Sequence, residues 1–150
     1  MYKVFYEDIL VGPKSQFGHY EMTKDEIIDF ATKYDPQPFH LDDEFAKATH
    51  FGGLCSSGWH TAAALMRMLV DHSSEIGLAS LGSPGIKDLK WIKPVFVGDI
   101  LSVKQEFLDK RQSKSRPDLG LVGFRNYVYN QHDEIVMDIT GTMMVACRPK

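Results

Sequence analysis

The sequence predicts an α+β fold in which one long helix lies across one face of a curved antiparallel sheet. Residues 59–70 are almost continuously apolar, which is typical of a buried helix. The second half of the chain is instead rich in β-branched and aromatic residues that partly alternate with polar ones, as in half-buried strands. No repeat or low-complexity segment interrupts the 150 residues, so we expect one domain, 1–150.

The beginning of the chain contains signals for a strand and a helix. Turn-forming residues precede a β-prone stretch, which predicts a strand near Ser15–Met22. Thr23 can then cap a helix with its hydroxyl, while Glu26 can reach back to the Thr23 N–H and complete a capping box. Apolar residues at spacings of three and four predict an amphipathic helix that continues to Tyr34.

Two prolines end this helix and stiffen the segment after it. Pro36 disfavours helical backbone at Asp35, and Pro38 constrains the residue before it in the same way. One of the two aspartates that follow, Asp42 or Asp43, can cap a short second helix. We therefore expect a rigid connection between two helices.

The loop "FGGLCSSG" leads into the long helix and places Gly58 in its first turn. Between Trp59 and Val70 only three residues are polar, so we expect this helix to be buried on nearly all sides. Further on, "NQHD" at 130–133 predicts a hairpin turn, and 112–118 predict a longer exposed loop. The outer strand of the sheet needs cover or a partner, which favours a dimer that continues the sheet.

The composition argues against several classes of protein. A net charge of -3 does not suit a nucleic-acid binder, and no apolar run approaches the ~20 residues that cross a membrane. The first residues do not form a secretory signal, so we expect a cytoplasmic protein. Cys55 and Cys147 lie far apart without a CxxC spacing, and we expect free thiols and no metal site.

A candidate catalytic pair lies in the proline-containing segment "YDPQPFHLDD". Asp35 and His40 are five positions apart, and the prolines limit the conformations open to the chain between them. At a fixed separation, the carboxylate can act as general base on a water molecule that the imidazole orients or whose proton it shuttles. Spacing alone leaves another interpretation open, in which Asp35 bonds the loop backbone and His40 is a structural histidine.

A second candidate group is the backbone at Gly58. The N–H groups at a helix start are unpaired and lie at the positive end of the dipole, so they can bind a carbonyl oxygen that gains negative charge. The alternative is that this glycine only shapes a tight turn. A water-activating pair and an oxyanion donor together suit the addition of water to a carbonyl-conjugated double bond, or its removal.

These motifs resemble the MaoC-like dehydratases, the (R)-specific enoyl-CoA hydratase family. "DPQPFHLDDEFA", "FGGLCSSG" and "WIKPVFVGD" carry the resemblance, which runs from the first helix to the last strand. It implies a hot-dog fold, in which a curved antiparallel sheet wraps a long central helix. The family pattern DxNPxH matches Asp35, Pro38 and His40. The resemblance implies that Asp35 and His40 activate the water and that Gly58 supplies the oxyanion N–H.

The chain departs from the family pattern at three positions. Gln37 replaces the family's asparagine, Ser57 stands where histidine is frequent, and Met66 replaces a small polar residue of some hydratases. These departures bear on the substrate more than on the chemistry. The expected substrate-pocket residues are Gln37, Pro38, Phe39, Ser57, Trp59 and Met66.

The resemblance implies a hydro-lyase of fatty acid metabolism that interconverts a 2-enoyl-CoA and an (R)-3-hydroxyacyl-CoA. Coenzyme A would be part of the substrate, with no separate cofactor. The implied assembly is a homodimer with its active site at the subunit interface, and further assembly of dimers is left open. A hot-dog thioesterase and a non-catalytic acyl-CoA-binding subunit are the alternatives, because a fold alone does not decide function. Basic residues that can meet the phosphates of coenzyme A are Lys110, Arg111, Lys114 and Arg116.

Overall fold

The computed structural model describes all 150 residues. Its strands are β1 (Lys14–Glu21), β2 (Gly85–Trp91), β3 (Ile100–Gln112), β4 (Leu119–Tyr129) and β5 (Ile135–Ala146). Its helices are α1 (Lys24–Tyr34), α2 (Asp43–Lys47) and α3 (Gly58–Ile76), with 3-10 turns at Tyr6–Asp8 and Pro38–His40. The strands form one antiparallel sheet in the order β1-β3-β4-β5-β2, and α3 packs against it. This arrangement confirms the predicted α+β class and the hot-dog fold.

The main core lies between α3 and the concave face of the sheet. Leu65 and Met68 of the helix are almost fully buried against strand residues such as Leu101 and Val103. Burying each of the two helix side chains contributes about 1.5–3 kcal/mol. Gly18 has a φ of +88° at a bulge in β1, and a Cβ there would lie 2.6 Å from the sulfur of Met68. Glycine at this position therefore allows α3 to approach β1 closely.

The capping box predicted at the start of α1 is only half formed. Thr23 caps the helix, since its hydroxyl oxygen accepts from the Glu26 N–H at 3.3 Å. The Glu26 carboxylate, however, accepts from the Tyr20 hydroxyl at 3.1 Å and does not reach back to Thr23. The predicted capping box is therefore wrong in its second half, because the packing of α1 beside β1 offers Glu26 a different donor.

The other predicted boundaries agree with the structure. The predicted first strand corresponds to β1, and α1 ends at Tyr34, directly before Asp35. Asp42 caps α2 by accepting from the Phe45 N–H at 2.7 Å. The hairpin turn predicted at 130–133 connects β4 and β5, with Asp133 in the left-handed region at a φ of 57°.

Within the single chain, the prediction that α3 is buried on nearly all sides is wrong. Trp59, Met66 and Val70 lie on one face of the helix and are 61%, 57% and 52% exposed. The sequence reveals that a residue is apolar, but only the packed chain reveals whether that residue is covered. None of the helices is both long and apolar enough to span a membrane.

Candidate active site

A cavity of about 350 Å³ opens at the N-terminus of α3. The segment after α1 contributes Asp35, Gln37 and His40 to its wall. The start of α3 contributes Ser57 and Gly58. The residues between β2 and β3 close the remaining side. The structure therefore brings together the candidate catalytic pair and the helix start that the sequence singled out separately.

Asp35 and His40 are neighbours in this cavity. The Nε2 atom of His40 lies 3.5 Å from Oδ2 of Asp35, and the two side chains are 8% and 20% exposed. The other ring nitrogen of His40, Nδ1, lies 2.8 Å from the carbonyl oxygen of Cys55. A carbonyl only accepts hydrogen bonds, so Nδ1 carries the hydrogen and, in the neutral ring, Nε2 is an acceptor. Two acceptors, a carboxylate and an imidazole nitrogen, thus lie side by side and can take a proton from water.

The surroundings of Asp35 keep it ionised. Burial raises the pKa of Asp35, but the Ser57 hydroxyl, the Gln37 amide and the charge of His40 together bring it below its ordinary value of 3.8. The Gln37 amide nitrogen donates to Oδ1 of Asp35 at 2.7 Å. The amide that departs from the family pattern is therefore aimed at the catalytic candidate. An ionised carboxylate at neutral pH is the form that a general base requires.

The start of α3 presents a free backbone donor. Gly58 is the first residue of the helix, and its N–H makes no hydrogen bond within the protein. The indole of Trp91 lies against Gly58 and donates from Nε1 to the Gly58 carbonyl oxygen at 2.9 Å. A Cβ at Gly58 would lie 2.5 Å from Cε2 of Trp91, so this contact requires glycine. The N–H stands at the positive end of the helix dipole, where it can bind a carbonyl oxygen.

Sequence reasoning missed two parts of the site. Trp91 covers Gly58 and stacks edge-on against Trp59 with ring centroids 5.0 Å apart. The quoted motif "WIKPVFVGD" begins at Trp91, but nothing in the motif indicates this contact. Cys55 contributes its carbonyl oxygen, which fixes the His40 ring, and a backbone contribution leaves no signal in the sequence.

The two cysteines are free, as predicted. Burial raises the pKa of the Cys55 thiol to about 11, so its sulfur is a packed thiol and not a nucleophilic thiolate. The role of Cys55 in the site is therefore that of its backbone carbonyl.

Comparison with known families decides which one this chain belongs to. The family model described as "MaoC like domain" matches residues 11–123, which is well over half of the chain. The chain belongs to the MaoC-like family. The matched range includes β1, the Asp35–His40 segment and all of α3. The catalytic candidates therefore lie inside the family's own domain.

The chain is also similar to individual proteins over most of its length. The chain is similar to the crystal structure of a MaoC-like dehydratase from Rhodospirillum rubrum, with 41% identity, a TM-score of 0.89, and coverage of 99% of this chain and 100% of the other. It is 27% identical to YdeM, an uncharacterized protein of Bacillus subtilis, over 88% of this chain and 92% of YdeM. It is 26% identical to a 3-hydroxybutyryl-CoA dehydratase of Methylorubrum extorquens, over 90% of this chain and 80% of that protein.

Three predicted pocket residues of this MaoC-like protein do not line the cavity. Pro38 begins the 3-10 turn that carries His40, and Phe39 packs edge-on against the His40 ring with centroids 4.6 Å apart. Met66 lines a separate, larger cavity of about 670 Å³ farther along α3. A contact of these residues with substrate stays a prediction, whereas Gln37, Ser57 and Trp59 do line the cavity beside Asp35.

Two of the basic residues considered for coenzyme A have other partners. The Lys110 ammonium donates to three backbone carbonyls of the N-terminal segment, 2.8 to 3.3 Å away. Arg116 forms a two-pronged ion pair with Asp118 at 2.9 and 2.7 Å. Arg111 and Lys114 form no ion pair within the chain, and a contact of any of the four residues with coenzyme A stays a prediction.

His60 is a buried histidine outside the proposed chemistry, and it predicts a pH dependence of stability. Its ring stacks on Phe30 and its Nδ1 has no hydrogen-bond partner. Burial lowers the pKa of His60 below its ordinary value of 6.5, against a smaller opposite effect of Glu26. Just below pH 6.5 the unfolded chain therefore binds more protons at this ring than the folded chain does. We expect the free energy of unfolding to fall as the pH drops through this range.

Urea unfolding at about pH 7.5 and about pH 5.5 measures this loss of unfolding free energy. In His60→Phe, which keeps an aromatic ring against Phe30, the loss should be smaller than in the wild type. An equal loss in both proteins would show that His60 does not cause it.

Proposed function

We propose that the protein is an acyl-CoA hydratase or dehydratase that interconverts a 2-enoyl-CoA and an (R)-3-hydroxyacyl-CoA. The observation that carries the proposal is the Asp35–His40 pair, 3.5 Å apart, in one cavity with the free N–H of Gly58. Membership of the MaoC-like family supports it, as does the relative that is named a 3-hydroxybutyryl-CoA dehydratase. The (R) configuration rests on the family resemblance.

In the hydration direction, Asp35 removes a proton from water while the water oxygen forms a bond to C3 of the enoyl group. The electrons of the double bond move toward the thioester oxygen, which the Gly58 N–H stabilises as negative charge develops. C2 then takes a proton from the Asp35–His40 pair, and the thioester carbonyl forms again. Dehydration follows the same steps in reverse, so one site serves both directions.

We further propose a cytoplasmic homodimer, with coenzyme A entering only as part of the substrate. β2 is an outermost strand, hydrogen-bonded to β5 alone, so its other edge is free. The exposed apolar residues Met66 and Val70 of α3 offer a surface that a second copy can cover. Sedimentation velocity tests this assembly, and a monomer at all concentrations would contradict it.

The activity is tested with crotonyl-CoA and with longer and branched enoyl-CoA thioesters. Hydration removes the conjugated double bond, so the absorbance of the enoyl thioester should fall when folded wild-type protein is added. Coupling the product to an (R)-specific or an (S)-specific 3-hydroxyacyl-CoA dehydrogenase tests the configuration. Folded dimeric protein that consumes none of these thioesters would contradict the proposal. Release of a free thiol without hydration would identify a thioesterase instead.

A further inference from the structure

Ser57 is the N-cap residue of α3, but its hydroxyl does not cap the helix. Serine is a preferred N-cap because its oxygen accepts from a free N–H of the first turn. The other two helices of the chain follow this rule, through Thr23 and Asp42. The side chain of Ser57 therefore does not make the capping hydrogen bond that its position favours.

The Ser57 hydroxyl is buried and has no hydrogen-bond partner in the protein. The residue is 1% exposed, and its Oγ is one of two buried side-chain polar atoms without a partner. The neighbouring Ser56 is also buried, but its Oγ lies 3.0 Å from the hydroxyl of Thr61. Buried hydroxyls are nearly always hydrogen-bonded, so an unpaired one at a cavity indicates a partner from outside the chain.

The position of Ser57 points to the reacting water molecule as the partner of its hydroxyl. Ser57 lines the same cavity as Asp35 and His40. Its hydroxyl is close enough to Asp35 to lower the pKa of the carboxylate, although it does not hold hydrogen-bonding geometry with it. The free hydroxyl is therefore next to the atoms that would handle the water.

The hydrogen-bonding capacities of the three side chains complement one another. Asp35 only accepts, and Nε2 of neutral His40 accepts because Nδ1 carries the hydrogen for Cys55. A water molecule that donates both of its hydrogens to these acceptors still has two lone pairs on its oxygen. One lone pair must face C3, so the other is free to accept a hydrogen bond that fixes the water. The Ser57 hydroxyl can donate that hydrogen bond.

We propose that Ser57 is a positioning residue whose hydroxyl donates to the oxygen that is added to, or removed from, C3 of the acyl group. The proposal deepens the hydratase function above and rests on it. The competing interpretation is that Ser57 is only a small residue that fits the tight start of α3.

Ser57→Ala separates the two interpretations, with Ser56→Ala as the matched control. We expect Ser57→Ala to lower kcat by about 10- to 100-fold with little change in KM, because the water is no longer oriented. In the free protein, where no substrate oxygen competes for the single hydroxyl hydrogen, Asp35 loses a group that lowers its pKa, so we also expect the acidic limb of the pH profile of kcat/KM to move to higher pH. The other titratable groups that face the cavity, His40, Cys55 and Lys93, are present in both variants.

Ser56→Ala removes the hydrogen bond to Thr61 and should lower stability while leaving the pH–rate profile in place. Carbon-detected NMR titration of the Asp35 carboxyl supplies a readout that does not depend on turnover. Its pKa should rise in Ser57→Ala and not in Ser56→Ala. Ser57→Thr keeps a hydroxyl and should restore both kcat and the pH profile, and thermal unfolding shows that each variant is folded.

The outcomes distinguish this proposal from the proposed function. Wild-type protein that is inactive on every enoyl-CoA overturns the hydratase function and the role of Ser57 with it. Active wild type with unchanged kcat and pH profile in Ser57→Ala overturns only the role of Ser57. A loss of kcat in Ser57→Ala that folded Ser57→Thr does not restore, or an equal loss in Ser56→Ala, shows a packing role and overturns the proposal too.

Discussion

Asp35→Asn is expected to lower the rate of enoyl-CoA hydration by about 10²–10⁴-fold, the usual contribution of a general base. The amide has nearly the shape of the carboxylate, so the segment after α1 keeps its conformation. It cannot accept the proton of water, because its nitrogen is a donor and its oxygen is a weak base. Initial rates with the best substrate of the enoyl-CoA series measure the effect, and circular dichroism checks the fold.

Asp29→Asn is the matched control for this change. Asp29 lies on α1, is exposed, and forms only a surface ion pair with Lys33 at 2.8 Å. Surface pairs of this kind contribute about 0–1 kcal/mol, so the control should be folded and fully active. Equal activity of the two variants would show that Asp35 is not the general base.

His40→Asn is expected to have an effect of similar size, about 10²–10⁴-fold on kcat. The asparagine amide nitrogen can replace Nδ1 as donor to the Cys55 carbonyl, 2.8 Å away in the wild type. The substitution therefore spares the buried hydrogen bond and removes only Nε2, the atom beside Asp35. His40→Ala would also lose the bond to Cys55, so we expect it to be less stable than His40→Asn.

His19→Asn provides the control, since His19 is an exposed residue of β1. The double variant Asp35→Asn/His40→Asn tests whether the two side chains act on one water. If they do, the double variant should be little worse than either single one. Fully multiplicative losses would mean that the two residues act independently, against the proposed pair.

The local framework of the site could be predicted well from the sequence, because that framework depends on short-range chemistry. Pro36 ends α1 directly before Asp35, and Asp42 caps α2, as the residue types require. Gly58 falls in the first turn of α3 as predicted. The resemblance to the MaoC-like family is confirmed by the family model, whose matched range contains all three candidate residues.

Contacts between distant segments could not be predicted in the same way. Glu26 bonds Tyr20 and not Thr23, since the packing of α1 beside β1 decides which donor is near. Trp91 reaches Gly58 from 33 positions away and makes glycine necessary there. Neither contact has a sequence spacing that could reveal it, because the chain path between the partners sets the distance.

By itself the sequence determined the fold class, the end of α1 and the cap of α2, and it supplied Asp35 and His40 as a candidate pair, since propensity, capping and proline chemistry act within a few residues. Only the tertiary structure decided the 3.5 Å separation of that pair, the tautomer of His40 and the unpaired hydroxyl of Ser57. It also decided which apolar face of α3 is left open. Each of these properties depends on which surfaces the folded chain brings into contact.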